Sequence, residues 1–181
     1  MKNKKNYINR LTRILTNEEL NEYIENNDSL IDIGYDYLEL GEFKKAFQIF
    51  SMAVRVNGNN PDSLNGLGVA LCELGRLKIS RAVLEKTVEM YPDDSITLAN
   101  IAGLYWEEGD IGKSIHYYCK ALEYDNTILE THFNLINLYY EQGYLFMAYI
   151  ASLNLLNICP DNIQAKEIRD DIILDIGISI Y

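Results

Sequence analysis

Glu39-Leu40-Gly41, Glu73-Leu74-Gly75, Glu107-Glu108-Gly109 and Glu141-Gln142-Gly143 are four copies of one short motif, Glu-x-Gly. Successive glutamates are 34 residues apart, and successive glycines are also 34 residues apart. A fixed period of this size is typical of a solenoid, in which one supersecondary unit is repeated and stacked on its neighbours. The motif therefore predicts a repeat protein whose unit has the length of that interval.

An apolar stripe precedes each copy of the motif at helical spacing. In the first copy it consists of Leu30, Ile33, Gly34 and Tyr37, whose spacings of three, one and three residues lie on one helix face. The same positions hold Leu64, Leu67, Gly68 and Leu71, then Leu98, Ile101, Ala102 and Tyr105, then His132, Leu135, Ile136 and Tyr139. The glycine of the motif is expected to end this helix, because it adopts a left-handed conformation without a side-chain penalty.

A second amphipathic helix follows each glycine. Its small residue recurs at the same place in each copy, as Ala46, Ser80, Ser114 and Ala148, and indicates a close crossing with the first helix. Segments rich in turn formers then separate one helix pair from the next, as at Asn57–Asn60 and Cys159–Asn162. The sequence therefore predicts four helix pairs.

This order of large, small and turn-forming residues at a 34-residue period resembles the tetratricopeptide repeat (TPR). The resemblance implies an all-α fold, a right-handed α-solenoid of four TPR helix pairs. We expect the four repeats at residues 27–60, 61–94, 95–128 and 129–162. A basic N-terminal segment with a short cap helix is predicted at residues 1–26, and a C-terminal capping helix and tail at residues 163–181.

The amino-acid composition argues against several kinds of partner for this protein. The net charge of −11 and the pI of about 4.6 argue against a nucleic-acid backbone as the main partner. The three cysteines are far apart and form no metal-binding cluster, so we expect free thiols, no cofactor and no metal. Because no secretory signal or membrane-spanning run is seen, a membrane partner is not expected and the predicted location is cytoplasmic.

The resemblance to TPR arrays also implies that the first helices line a concave groove. The positions that this assigns to partner binding carry acids, amides and aromatic rings but neither Lys nor Arg. They are Asp32, Tyr35, Glu39, Asn65, Glu73, Asn100, Trp106, Glu107, Asn134, Asn137, Tyr140 and Glu141. An acidic groove favours a cationic segment of another protein.

The function expected from these features is a non-enzymatic scaffold that binds a protein or a peptide, with a basic peptide favoured. His116 and Cys119 are three residues apart, but no third group or oxyanion donor accompanies them, so no catalytic residue is predicted. Two alternatives remain open. In one, the basic N-terminus, which carries +5 within thirteen residues, occupies its own groove or that of a neighbour in a homo-oligomer. In the other, the chain is an export or assembly chaperone resembling the type III secretion translocator chaperones.

Overall fold

The computed structural model describes residues 27–58 and 60–177 of the 181-residue chain. Within these ranges the chain forms nine α-helices and no strand. They are α1 (Asn27–Glu39), α2 (Phe43–Asn57), α3 (Pro61–Glu73), α4 (Leu77–Met90), α5 (Ser95–Glu107), α6 (Ile111–Tyr124), α7 (Leu129–Glu141), α8 (Leu145–Ile158) and α9 (Ile163–Ile176). The predicted all-α fold of helix pairs is confirmed. The segment expected at residues 1–26, with its cap helix, lies outside the described residues.

The glycines of the Glu-x-Gly motif end the first helices, as predicted. Their φ angles are 68° at Gly41, 71° at Gly75, 78° at Gly109 and 73° at Gly143, all in the left-handed region. A Cβ atom at these positions would meet nothing within 4 Å, so the backbone conformation, and not the lack of space, requires glycine. The turn also satisfies carbonyls at the helix end, since the Gly75 N–H donates to the Cys72 oxygen at 2.7 Å.

Four of the described helices begin with a side-chain cap. The amide oxygen of Asn60 accepts from the Ser63 N–H at 3.1 Å at the start of α3, and Asp94 accepts from the Thr97 N–H at 3.0 Å at the start of α5. Asp110 and Asn162 cap α6 and α9 in the same way. Such caps satisfy backbone donors that have no partner within the helix.

The chain divides into two compact units, residues 1–91 and 92–181. In the first unit α2 packs against both α1 and α3, and α3 packs against α4. Phe50 of α2 is fully buried, and its ring lies against the backbone of Gly34 on α1 and of Gly66 on α3. A Cβ atom would stand 2.6 Å from the ring at Gly34 and 2.1 Å from it at Gly66. Three helices therefore meet on one aromatic side chain that only glycine neighbours can accommodate.

In the second unit α5 pairs with α6 and α7 with α8, while α6 packs against α7 and α8 against α9. Its core includes Tyr118, Ile136, Leu138 and Leu155, none of them more than 1% exposed. The apolar stripe of α9 joins this core through the buried Ala165 and Ile172 and the half-buried Ile168 and Ile176. This contact covers apolar surface of the preceding helix pair, and the assignment of α9 as the C-terminal cap stays a prediction.

Candidate functional site

Most of the predicted partner-binding residues lie on exposed positions of the first helices. Within each unit these helices are neighbours, since α1 contacts α3 and α5 contacts α7. The exposed members are Asp32, Glu39 and Glu73 in the first unit and Glu107, Asn137, Tyr140 and Glu141 in the second. All four motif glutamates are therefore accessible to a ligand.

The side chain of Tyr35 packs against the core and is also partly exposed to solvent. Its ring meets Phe50 edge-on with centroids 5.1 Å apart, and its hydroxyl donates to the Asp62 backbone oxygen at 3.5 Å. The side chain is half-buried, so one face of the ring belongs to the contact between α1, α2 and α3. Tyr35 is thus held in one position by the core beneath it.

Asn65 departs from the expected arrangement. The sequence assigned it to the partner-binding surface, but its side chain is 0% exposed. The whole helical turn from Ser63 to Gly66 is buried, and within it Gly66 packs against the ring of Phe50. The amide of Asn65 does not reach solvent, so Asn65 is not part of the exposed surface of α3.

In the second unit Asn100, Trp106 and Asn134 are half-buried. Trp106 packs against the core cluster of this unit, which includes Ala102 and Leu135, and so presents only part of its indole to solvent. The two asparagines lie on the adjacent helices α5 and α7. Their partial exposure keeps amide groups, which both donate and accept hydrogen bonds, at the surface.

Tyr140 is 41% exposed, and its hydroxyl donates a hydrogen bond to the carboxylate of Asp175 on α9. This hydrogen bond raises the pKa of Tyr140, and the charges of Asp175 and Asp171 raise it further. The neighbourhood of Tyr140 is therefore negative, and two of its carboxylates come from α9.

Asp175 is the residue that the sequence analysis missed. It stands one further period after Glu141, and Gly177 stands one further period after Gly143, so Asp175-Ile176-Gly177 is a fifth, altered copy of the motif. Gly177 has a φ of 74° and ends α9 as the other glycines end their helices. The sequence would have predicted Asp175 if the 34-residue period had been extended by one repeat and aspartate had been allowed in place of glutamate.

Charge is divided between the two kinds of helix. The described first helices α1, α3, α5 and α7 contain no Lys or Arg, whereas each of them contains at least one acid. The second helices α2, α4 and α6 contain the basic residues Lys44, Lys45, Arg55, Lys78, Arg81, Lys86, Lys113 and Lys120. The charged side chains of the described first helices are therefore all acidic. We call the exposed surface of these helices in each unit the first-helix surface.

The described residues provide no support for nucleophilic or metal chemistry. Burial raises the pKa of the Cys119 thiol, although a hydrogen bond with Tyr139 acts in the opposite direction. A raised pKa is the reverse of what a nucleophilic cysteine needs. Across residues 27–58 and 60–177, no group of three or more His, Cys, Asp or Glu residues is arranged to hold a metal ion. None of the helices in this part of the chain is long and apolar enough to cross a bilayer.

Helix pairs at a constant period, closed by left-handed glycines, define an all-α repeat protein. Family models described as tetratricopeptide repeat match residues 62–91 and 97–128, in the two units respectively. The chain therefore contains tetratricopeptide repeats, and proteins built from this repeat are generally non-catalytic scaffolds for protein–protein interaction.

Curated proteins and solved structures are similar to this chain over part or most of its length. The protein CTR9 homolog of Arabidopsis thaliana is 34% identical over 101 residues, which cover 54% of this chain and 9% of that protein. The chain spans between 9% and 28% of the length of the three curated relatives it matches. A thermophilic TPR protein of Thermus thermophilus has a similar structure, with a TM-score of 0.77, 19% identity, and coverage of 87% of this chain and 86% of that one. YrrB, described as a TPR protein with an unusual peptide-binding site, has a TM-score of 0.62 at 20% identity and coverage of 91% and 89%.

Proposed function

We propose that this protein binds a basic segment of a partner protein on the first-helix surface of its units. The observation that carries the proposal is the division of charge: the described first helices contain acids and neither Lys nor Arg. Carboxylates of one sign attract a cationic ligand and steer its approach, and the attraction weakens as salt screens it.

Aromatic rings at the same surface supply the apolar part of the recognition. Tyr35 and Trp106 are half-buried and held by packing, and Tyr140 is held by its hydrogen bond to Asp175. Rings that are already ordered lose little conformational entropy when a ligand covers them, so they serve as anchors for apolar side chains. The proposed partner segment therefore alternates basic and apolar residues.

Amide groups complete the proposed site. Asn100 and Asn134 keep partial exposure on adjacent helices, and an amide side chain can pair with both the N–H and the C=O of an extended peptide. The amides would recognise the backbone of the peptide, while the acids and the aromatic rings would recognise its side chains. Peptide binding by the structural neighbour YrrB is consistent with this mode of use of the fold.

A titration with two fluorescent peptides tests the proposal. One peptide is rich in lysine and leucine, and the other has glutamate in place of each lysine. We expect only the cationic peptide to bind, and its affinity to fall as salt rises. In the second unit the paired change Glu107→Lys and Glu141→Lys should weaken binding about tenfold or more, since two attractions become repulsions. Equal binding of the two peptides would refute the proposal.

Matched charge reversals away from the first helices provide the control. Glu85 on α4 and Glu167 on α9 are exposed surface acids, and Glu85→Lys with Glu167→Lys changes the net charge by the same amount. This control variant should lose much less affinity than Glu107→Lys with Glu141→Lys. If both variants lose affinity equally, the ligand responds to net charge alone and the site is not the first-helix surface.

The same titration tests the alternative in which the basic N-terminus occupies the acidic surface. Deletion of residues 1–15 should strengthen binding of the cationic peptide if the chain's own basic residues compete for the acids, and should leave it unchanged if they do not. The export or assembly chaperone alternative stays a prediction from resemblance.

A further inference from the structure

Helix α8 departs from the two second helices before it at a pair of positions three residues apart. On α4 these positions hold Lys86 and Glu89, whose charged groups lie 3.2 Å apart, and on α6 they again hold a lysine and a glutamate. One period further on, α8 has Asn154 and Asn157 at these positions. A pair of opposite charges is thus replaced by a pair of neutral amides on one helix face.

A third departure lies in the apolar stripe of α7. His132 stands where α1, α3 and α5 have leucine, and it is only 5% exposed. Its Nε2 lies 2.9 Å from the backbone oxygen of Asn126. Because a carbonyl oxygen can only accept, Nε2 is the nitrogen that carries the proton, and Nδ1 of the neutral ring is therefore an acceptor. The stripe thus carries a buried polar ring where the other copies of the repeat are purely apolar.

All three departures meet at one cleft of the second unit, with a volume of about 450 Å³. Helices α6 and α8 form its sides, α7 contributes His132 and Leu135, and Asn126 after α6 adds a third amide. Apolar walls with a few polar groups, in a volume of about 300–1,000 Å³, are typical of a ligand site. The residues that break the repeat pattern are therefore gathered around a space that a ligand can enter.

The two amides of α8 are free to bind. Asn154 and Asn157 are exposed, and neither side chain forms a hydrogen bond with another of the described residues. An amide both donates and accepts, so each one can pair with an N–H and a C=O group of a peptide backbone. Side chains three residues apart on a helix have Cβ atoms about 5–6 Å from each other. Backbone groups that face the same way recur every ~6.6 Å in an extended chain, so one such chain can reach both amides.

We propose that this cleft binds an extended, uncharged segment of a partner protein by its backbone. An apolar side chain of that segment enters between Leu122, Leu135 and Ala151, which line the cleft. Charge complementarity selects a neutral occupant. Glu123 is the one charged residue that lines the cleft, and it is exposed to solvent. A charged side chain beside the amides would lose hydration without gaining a buried counter-charge.

An NMR titration of the isotope-labelled full chain with two peptides tests the proposal. One is a capped, uncharged peptide that alternates serine and leucine. The other has the same sequence with its backbone nitrogens methylated, which removes the N–H donors and keeps the side chains. We expect only the first peptide to bind saturably, with shifts in the side-chain amide signals of Asn154 and Asn157 and in the backbone signal of Ala151.

A paired substitution and its reverse provide the matched variants. Asn154→Lys with Asn157→Glu places the charged pair of α4 on α8 and leaves the net charge unchanged, and it should weaken binding about tenfold or more as two amides are lost. Lys86→Asn with Glu89→Asn makes the opposite change on α4, away from the cleft, and should leave the affinity as it is. Both changes lie at exposed helix positions, and circular dichroism checks that both variants are folded.

Four results would overturn the proposal: no binding of either peptide, equal binding of the methylated peptide, normal binding by Asn154→Lys with Asn157→Glu, or an equal loss in the α4 variant. Equal binding of the methylated peptide would mean that the cleft accepts apolar groups without reading a backbone. The inference is independent of the proposed site on the first helices, because neither α8 substitution should change the affinity for the cationic peptide.

Discussion

The hydroxyl of Tyr140 on α7 donates a hydrogen bond to the carboxylate of Asp175 on α9, 35 residues further along the chain. These two helices are not consecutive, since α8 lies between them in sequence. The contact joins an exposed aromatic residue of the proposed binding surface to α9. Helix α9 therefore both packs on the core of the second unit and contributes an acid beside that surface.

Replacing Asp175 by asparagine should lower the pKa of Tyr140 towards its ordinary value. The hydrogen bond and the negative charge of Asp175 both favour the neutral phenol, and the substitution removes the charge while keeping a hydrogen-bond acceptor. Tyrosine-specific NMR titration measures the change, with Tyr140→Phe identifying the signal. An unaltered pKa in Asp175→Asn would show that the two side chains do not interact in solution.

The period of the sequence predicted the helices well, because it reports on local rules. A glycine that must be left-handed and an apolar stripe at helical spacing each depend on a few neighbouring residues. The four motif glycines therefore have the left-handed conformation that the sequence predicted for them. The burial of Asn65 depends on how α3 packs in the first unit, and the contact of Tyr140 with Asp175 depends on how α9 packs. Spacing within one helix contains no information about either contact.

Gly66→Ala should destabilise the protein by about 1–3 kcal/mol, the usual cost of overpacking a core. The new methyl group would stand 2.1 Å from the ring of Phe50, and that ring cannot withdraw because it is fully buried and also lies against Gly34. Urea unfolding followed by circular dichroism measures the change.

Gly112→Ala is the matched control for this change. Gly112 is an exposed position of α6 where a methyl group would meet nothing within 4 Å. The substitution should raise the free energy of unfolding by up to about 1 kcal/mol, through helix propensity alone. Similar effects at both glycines would contradict the assignment of Gly66 to a three-helix contact.

Ser80→Ala and Ser114→Ala should differ in their effect although the two serines occupy equivalent positions of α4 and α6. Ser80 is buried and donates to the Gly68 backbone oxygen at 2.7 Å, so its loss should cost about 1 kcal/mol. Ser114 is equally buried, but its hydroxyl has no hydrogen-bond partner among the described residues. Removing it should leave the free energy of unfolding unchanged or raise it slightly. Thermal and urea unfolding of both variants measures this, and an equal loss would indicate that Ser114 is hydrogen-bonded in solution.

Stability should fall at alkaline pH because of Tyr118. Burial, and to a smaller extent the charge of Glu130, raises the pKa of this phenol to about 12, whereas in an unfolded chain it is about 10. The fold therefore favours the neutral form, and this contribution is fully present below pH 10 and is lost as the pH rises towards 12. The expected loss is on the order of 2 kcal/mol over that interval. Burial raises the pKa of Tyr139 to about 12 as well, so a second group titrates in the same window.

Urea unfolding between pH 7 and about pH 11 measures how steeply the free energy of unfolding falls with pH. Tyr118→Phe should make this slope shallower while leaving the part due to Tyr139. A slope in Tyr118→Phe equal to that of the unchanged protein would show that Tyr118 ionises as easily in the folded state as in the unfolded state.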